Sequence, residues 1–166
     1  MFVVPISASH VRSFHAALDI VARERKYLAM VEAPPLEQVD AFVHGGIERG
    51  VVQFVAQEGD RVVGWADISP SATYGIAHRG TLGMGVLPEF RGRGIGRQLV
   101  QACLDKAWTN GLSRVELEVR ADNLSAIRLY RASGFIVEGT KRRAMRIDGT
   151  YFDTLIMGAL RDEIER

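Results

Sequence analysis

The chain has 166 residues, 47% hydrophobic and 25% charged, a balance that predicts a folded domain with a full-sized core rather than a disordered segment. Its 21 Lys and Arg residues nearly balance its 20 Asp and Glu residues, so no overall field of one sign attracts nucleic acid or an anionic membrane. One cysteine excludes an intrachain disulfide framework and favours a cytoplasmic setting, and no apolar run approaches the roughly 18 residues of a membrane span.

The first part of the chain predicts a strand followed by two helices. Residues 2–6 form the predicted strand. Ser9 is expected to cap a helix that ends near Tyr27, because apolar residues recur there at intervals of three and four. The Pro34-Pro35 pair interrupts this pattern and suits the start of a second helix, which is expected to end before Gly50.

A β-hairpin and a further strand are predicted next. Residues 51–57 and 61–69 are rich in β-forming side chains. The short Glu58-Gly59-Asp60 segment between them is a turn signal, which predicts an antiparallel pair. A loop is expected up to Ala77, and residues 81–87 predict another strand.

The second half of the chain alternates helices and strands. A helix is predicted over residues 95–109, and residues 114–120 alternate apolar and charged side chains as a strand does. Asp122 or Asn123 can cap the helix that follows, and Gly134 is expected to end it.

Two strands complete the predicted architecture. They cover residues 135–140 and 150–160, and Asp148-Gly149 offers a tight turn between them. The element order predicts one α/β domain over residues 1–166, with helices flanking a mixed, mostly antiparallel central sheet of about seven strands.

The most specific stretch is a strand that runs through a glycine and arginine loop into a helix, over residues 83–97. Glycines leave the backbone N–H groups of a helix N-terminus accessible, and these donors, together with the helix dipole, favour a bound anion. Phosphate or pyrophosphate is therefore the predicted occupant, and Arg91, Arg93 and Arg97 add local positive charge. The alternative is a plain connection whose arginines are solvated.

Two widespread phosphate motifs do not fit this loop. A nucleoside-triphosphate loop requires Lys-Ser or Lys-Thr after its glycines, and none follows here. The dinucleotide fingerprint starting at Gly92 would need glycine where Arg97 stands. Gly83 and Gly85, inside the preceding strand, are typical of a bulge or of close approach by another backbone, so an extended ligand with amide groups can pair there.

Two motifs, one on each side of the predicted strand 114–120, carry a family resemblance. The first is Arg91-x-x-Gly94-x-Gly96, and the second is Asn123-x-x-Ala126-x-x-Leu129-Tyr130-x-x-x-Gly134-Phe135. They resemble the pyrophosphate-binding motif and the next motif downstream of the GNAT superfamily of acyl-CoA-dependent N-acetyltransferases. The resemblance implies a GNAT-like fold, acetyl-CoA as co-substrate and acetyl transfer to an amine.

The same resemblance implies roles for individual residues. Met84, Gly85 and Val86 are expected to pair their backbone with the pantetheine arm. The residues expected to hold the pyrophosphate are Arg91, Gly92, Arg93, Gly94, Ile95, Gly96 and Arg97. Asn123 matches an asparagine that contacts the cofactor, and Tyr130 matches the general acid. From the residues alone, Asn123 is equally suited to a helix cap, and Tyr130 to packing as a half-buried aromatic.

Direct transfer also needs a base, because a Lys-like amine of pKa ~10.4 is almost fully protonated at pH 7. Glu118 resembles the glutamate that ribosomal-protein alanine N-acetyltransferases use, with Glu116 as runner-up and an ordinary polar strand position as the alternative. Cys103 follows the apolar spacing of its helix and is expected to be buried filler rather than a nucleophile. The scattered histidines and single cysteine imply no metal.

The tail of the chain resembles amino-acid and small-amine acetyltransferases of the phosphinothricin type, and also the ribosomal-protein branch. The predicted acceptor is therefore a small, amino-acid-like primary amine. Tyr27, Glu32 and Tyr151 are candidates to frame its ammonium group. Acetylation of a protein N-terminus or lysine is the enzyme alternative, and a CoA-binding sensor or interaction module is the non-enzyme alternative. A homodimer is compatible with such a domain.

Overall fold

A computed structural model describes residues 1–164 of the chain. Its strands are β1 Phe2–Pro5, β2 Val52–Glu58, β3 Arg61–Pro70, β4 Arg79–Val86, β5 Arg114–Arg120, β6 Ile136–Ile147 and β7 Thr150–Leu160. Its α-helices are α1 Val11–Arg23, α2 Leu36–Glu48, α3 Ile95–Thr109, α4 Leu124–Ala132 and α5 Arg161–Ile164. Short 3-10 turns cover Ala8–His10, Tyr74–Ile76 and Pro88–Phe90.

The seven strands form one sheet in the order β1-β2-β3-β4-β5-β7-β6. Every neighbouring pair is antiparallel except β4 and β5, which run parallel. Since α3 connects these two strands, the parallel pair is the crossover that the element order required. The predicted α/β fold with a mixed, mostly antiparallel sheet is confirmed.

The sheet splits in its middle, between β4 and β5. The two strands pair only from Arg79 opposite Arg114 to Thr81 opposite Glu116, although β4 continues to Val86. On its other side, β4 stays paired with β3 as far as Val86 opposite Gly64. The last five residues of β4 therefore have one paired edge and one edge that faces the gap.

Helices cover the two faces of the sheet. A Cβ at Gly64 would lie 3.1 Å from Leu99 of α3, so even-numbered residues of β3 face that helix. Trp65, on the opposite face, stacks edge to face with Phe14 of α1, with ring centroids 5.7 Å apart. Helix α4 packs beside α3, where a Cβ at Gly96 would meet Leu129 at 3.0 Å.

The start of the chain differs from the sequence prediction in two details. Ser9 does not cap α1, because it lies inside the 3-10 turn and the helix begins at Val11. The same helix ends at Arg23 rather than near Tyr27, since the chain turns at Arg25 with a left-handed φ of 51°. An irregular segment of about a dozen residues therefore separates α1 from α2, and it borders both cavities described below.

The end of the chain departs from prediction in the length of one strand. β6 extends to Ile147 instead of ending at Thr140, with irregular pairing between Lys141 and Met145. The basic cluster of Lys141, Arg142, Arg143 and Arg146 thus lies within a strand, and β6 is an edge strand of the sheet. None of the helices formed by residues 1–164 combines the length and the apolar character that a membrane crossing needs.

Candidate active site

The glycine and arginine loop joins β4 to α3 and presents backbone donors at the start of that helix. Gly92 and Gly94 have φ of 73° and 78°, a left-handed conformation that favours glycine, and Gly94 is the N-cap residue of α3. The amides of Ile95, Gly96 and Arg97 are the first of the helix, so they have no acceptor within it. This is the anion-binding arrangement that the sequence predicted.

The three arginines of the loop differ in what they do. Arg91 is held in place: its Nε donates to the Val86 carbonyl at 2.9 Å, and its other guanidinium nitrogens donate to Glu24 at 2.9 and 2.5 Å. Arg93 lies over the Phe90 ring, 5.2 Å from its centroid. Arg97 is a cation in the first turn of α3, a position that the helix dipole disfavours unless an anion is bound there.

A cavity of about 450 Å³ opens beside this loop. We call it the loop cavity; it is bounded by the end of β4, the start of α3, α4 and the segment after α1. The predicted cofactor residues that line it are Met84, Gly85, Val86, Arg91, Gly92, Gly94, Ile95, Gly96, Arg97 and Asn123. The remaining predicted cofactor residue, Arg93, stays outside the lining, consistent with its stacking on Phe90.

The glycines of this cavity are required for different reasons. A side chain at Gly96 would crowd Leu129 at 3.0 Å and Met84 at 3.4 Å, so glycine here lets α3, α4 and β4 approach one another. At Gly85 a Cβ would overlap the Trp65 indole. The group that closely approaches Gly85 is therefore the Trp65 side chain, which covers one face of β4. The backbone edge of β4 at Gly85 stays unpaired and faces the gap between β4 and β5.

Asn123 and Tyr130 both line the loop cavity, Asn123 as the N-cap residue of α4 and Tyr130 from its last turns. The Asn123 side-chain oxygen accepts a hydrogen bond from the Ala126 amide at 3.2 Å, which confirms its role as a helix cap. The same side chain also carries NH₂ donors and lines the cavity. Tyr130 packs edge to face on Phe135, and burial raises its pKa to about 12, so its hydroxyl keeps its proton at neutral pH.

Glu118 does not line the loop cavity. Lys141 donates to its carboxylate at 2.7 Å and the Thr154 hydroxyl donates at 2.6 Å. These bonds lower the pKa of Glu118, which weakens it as a base. Glu116 is engaged in a similar way by Arg114 at 3.0 Å.

A second cavity, of about 350 Å³, lies under α1 and α2, on the face of β3 and β4 that is opposite to the face covered by α3. We call it the apolar cavity, since its lining is dominated by hydrocarbon and aromatic side chains. Leu28 and Met84 line both cavities, so the two spaces adjoin.

Asp67 is the single charged residue that lines the apolar cavity within the described part of the chain. It lies on β3, directly opposite Gly83 of β4, and the Ser69 hydroxyl donates to it at 3.4 Å. Burial raises the pKa of this carboxyl group to about 6. The sequence prediction missed Asp67, although a carboxylate in the apolar run from Val62 to Ile68 was a usable signal.

The structure does not bring the predicted acceptor residues together. Tyr27 lines the loop cavity and faces the Arg120 guanidinium at 5.4 Å. Glu32 lies 3.6 Å from Arg23, and Tyr151 is half-exposed between Arg143 and Arg146. Neither Glu32 nor Tyr151 lines either cavity, because each lies on a different peripheral segment.

Two other side-chain predictions concern reactive groups. Cys103 is fully buried on α3, as expected of a packing residue, and burial raises the pKa of its thiol. Across residues 1–164, no three His, Cys, Asp or Glu side chains converge in a way that could hold a metal ion.

Solved structures share the fold over nearly the whole chain. A ribosomal-protein-alanine N-acetyltransferase of Brucella melitensis has a TM-score of 0.90 at 22% identity, covering 96% of this chain and 99% of that one. A phosphinothricin acetyltransferase of Sinorhizobium meliloti, in complex with acetyl-CoA, has a TM-score of 0.89 at 20% identity, covering 96% and 87%. At these identities the likeness shows the fold alone.

Curated relatives add similarity in sequence. An N-alpha-acetyltransferase, RimI, of Mycobacterium tuberculosis is 42% identical over 99 residues, a match that spans 57% of this chain and only 58% of the relative. An L-amino acid N-acetyltransferase, AaaT, of Escherichia coli is 26% identical over 165 residues, spanning 95% and 98%. The profile of the Acetyltransferase (GNAT) family matches residues 16–135, which is more than half of the chain. The motifs, the shared fold and this match agree, and the chain belongs to the GNAT family of acetyltransferases.

Proposed function

We propose that the protein, as one domain over residues 1–166, transfers the acetyl group of acetyl-CoA to the primary amine of a small, amino-acid-like molecule. The observation that carries the proposal is the split between β4 and β5 next to the glycine loop. It leaves a strand edge and a helix N-terminus on one continuous cavity, which suits a ligand that has amide groups along one part and phosphates at another.

The residues of the loop cavity fit such a co-substrate. The amides of Ile95, Gly96 and Arg97 are proposed to donate to the pyrophosphate, with Arg97 supplying charge. Met84, Gly85 and Val86 are proposed to pair through their unpaired backbone edge with the amides of the pantetheine arm. When bound, acetyl-CoA supplies an acetyl group activated as a thioester.

Tyr130 is proposed to serve as the acid. A departing thiolate resembles the cysteine thiolate, whose ordinary pKa is ~8.5. A phenol with a pKa of about 12 is protonated at neutral pH and can stabilise the thiolate by donating a hydrogen bond, while its raised pKa makes complete proton transfer to sulfur less favourable. Glu118 remains the sequence-based prediction for the base. Its pKa is lowered because Lys141 stabilises the ionised carboxylate, so Glu118 is a weaker base than a free glutamate.

The size and position of the apolar cavity, about 350 Å³ beside the loop cavity, suit a small-molecule acceptor. The apolar cavity adjoins the loop cavity through Leu28 and Met84, so an acceptor seated there lies next to the end of β4. The L-amino acid N-acetyltransferase that aligns with almost the whole chain supports the same class. The single buried thiol and the co-substrate suit a cytoplasmic setting.

Acetylation of a protein N-terminus is the second candidate. It rests on the 42% identity to the N-alpha-acetyltransferase, which is higher than that to the amino-acid enzyme but confined to 99 residues. The apolar cavity is partly open to solvent, with the half-exposed Met30 and Phe42 in its lining, so a peptide terminus can also reach it.

The direct test is acetyl-CoA-dependent release of free thiol across L-amino acids, polyamines and short peptides, with an amine-free control for hydrolysis. A strong response to amino acids and none to peptides is expected. Response to peptides alone would move the assignment to N-terminal acetylation. Acetyl-CoA binding by calorimetry with no transfer to any acceptor would favour a CoA-binding sensor, and absence of binding would refute the proposal.

A further inference from the structure

Asp67 occupies a position that sets it apart from the other carboxylates of the chain. It projects from β3 into the apolar cavity, beside the part of β4 that the two cavities share. We propose that the Asp67 carboxylate binds the ammonium group of the acceptor and takes its proton, while the apolar cavity holds the acceptor's hydrocarbon substituent. This inference rests on the proposed function and assigns its proton acceptor and acceptor class.

The space around Asp67 is shaped for a small cation. Its backbone partner on β4 is Gly83, and a Cβ there would lie 3.6 Å from the Asp67 Oδ1 atom. Because Gly83 has no side chain, the carboxylate stays open towards the strand that is proposed to lie beside the thioester. Met84 follows Gly83 on β4 and lines both cavities, so the strand position opposite Asp67 is next to the residue that the two cavities share.

No cation in the described residues competes for Asp67 within the apolar cavity. Ser69 on its own strand, Gln53 on β2 and Gly83 on β4 lie beside it. The residues of α1 and α2 that line the same cavity are apolar except for Gln38. Cys103, on the other face of the sheet, interacts with the charge of Asp67 electrostatically, but its thiol is neutral. A buried carboxylate without a countercharge favours a ligand that brings one.

The electrostatics suit a proton acceptor at neutral pH. Burial raises the pKa of Asp67 to about 6, so the group is ionised at pH 7 yet more basic than an exposed carboxylate. Glu118 shows the opposite trend, since Lys141 and Thr154 lower its pKa. Between the two carboxylates, Asp67 has the stronger affinity for a proton.

The reaction balances with Asp67 in this role. The acceptor's ammonium group gives one proton to Asp67, and the neutral nitrogen forms a C–N bond to the acetyl carbon as the C–S bond of the thioester breaks. The nitrogen loses its second proton as the amide forms, which balances the proton gained by the departing sulfur. Asp67 then releases its proton to solvent, so an ammonium and a thioester yield an amide, a thiol and one proton.

The test compares two acceptors with the same isobutyl group. 3-Methylbutylamine is an alkylamine with pKa near ~10.4, and L-leucinamide is an α-amine with pKa near ~8, so their neutral fractions at pH 7 differ by about two orders of magnitude. Asp67→Asn is expected to lose at least ~100-fold in kcat/KM with 3-methylbutylamine and clearly less with L-leucinamide. Above pH 7 the variant should regain about tenfold per pH unit, because it depends on free neutral amine, whereas the wild type stays flat.

Binding to the cofactor-free protein gives a readout independent of turnover. The wild type should bind 3-methylbutylammonium at pH 7.5 by calorimetry, more weakly at pH 5, and Asp67→Asn should lose this binding at least tenfold. 3-Methylbutan-1-ol, which has the same substituent and no charge, should bind both proteins equally. Gly83→Ala, which keeps the carboxylate and fills the space beside it, should also weaken amine binding.

Asp60→Asn is the matched control, because it makes the same exchange at an exposed turn of the same hairpin. It is expected to behave as the wild type in every assay. If Asp67→Asn keeps the amine affinity and the pH profile of the wild type while the wild type acetylates amines, the inference fails and the proposed function stands. If the wild type transfers no acetyl group, the proposed function fails, and the calorimetric comparison alone decides whether Asp67 binds ammonium.

Discussion

The two cavities of the molecule are built in opposite ways. The loop cavity relies on backbone: left-handed glycines, helix amides and a strand edge supply its polar groups. The apolar cavity relies on side chains from α1, α2, β3 and β4, with one carboxylate among them. The first is therefore expected to keep its affinity for acetyl-CoA when a side chain is exchanged and to lose it when a Cβ is added to the glycine loop. The second is expected to lose affinity when a single side chain is changed.

The largest effect is expected from adding a side chain to the glycine loop. Gly94→Val places a β-branched residue at φ 78° next to the proposed phosphate site, and affinity for acetyl-CoA should fall more than ~100-fold by calorimetry. Gly59→Val is the matched control, since Gly59 also has a left-handed φ, of 58°, with open space around it. It should carry a similar strain of about 1–2 kcal/mol and bind acetyl-CoA normally. Tight binding by Gly94→Val would show that the phosphates lie elsewhere.

A second prediction separates chemistry from binding within the loop cavity. Tyr130→Phe keeps the ring on Phe135 and removes only the hydroxyl, so kcat should fall about 10- to 100-fold while the Kd for acetyl-CoA changes less than about twofold. Tyr74→Phe, at a side chain that is 98% exposed, should leave both values unchanged. Unchanged turnover in Tyr130→Phe would remove this residue as the acid.

A third prediction ranks the two carboxylates on either side of the sheet split. Glu118→Gln removes a carboxylate that Lys141 and Thr154 already hold by hydrogen bonds, so turnover should fall less than about tenfold. The increase of kcat/KM with pH around 6, which we attribute to ionisation of Asp67, should persist in this variant and disappear in Asp67→Asn. The reverse pattern, with this increase lost only in Glu118→Gln, would restore the base originally assigned from the sequence.

Local patterns predicted most of the fold and the loop cavity. The helix at 95–109 and the strand at 114–120 match the structure at both ends, because caps, glycines and alternation are written into neighbouring residues. α1 was predicted too long, because the apolar pattern continues to Tyr27 while the turn at Arg25 is stabilised from afar by Asp148. The length of β6 likewise depends on its pairing with β7, a tertiary effect.

The apolar cavity, which we propose as the acceptor site, was not predicted, for the same physical reason. Its lining comes from segments that are distant in sequence, and only the sheet register places Asp67 opposite Gly83. Residue type alone suggested three side chains as ammonium-binding candidates, Tyr27, Glu32 and Tyr151. In the structure each of them contacts an arginine, and these arginines lie on separate segments. The glycine loop is contiguous, so a sequence motif is sufficient to predict it, whereas the apolar cavity is assembled from several elements that no single motif spans.

The smallest expected effect concerns the free energy of unfolding, and it tests whether the buried Asp67 carboxylate destabilises the folded protein. The pKa of Asp67 in the folded protein, about 6, is above its ordinary value of 3.8, so the charged form is disfavoured by folding above pH 6. Asp67→Asn should therefore raise the free energy of unfolding by about 1–2 kcal/mol at pH 7.5, a few degrees in Tm. This advantage should shrink as pH falls from 6 to 4, because the native carboxylate then becomes neutral. Thermal unfolding of both proteins at pH 7.5 and pH 4 measures this difference. A variant less stable than the wild type at pH 7.5 would mean that the Asp67 carboxylate stabilises the folded cavity even without a bound cation.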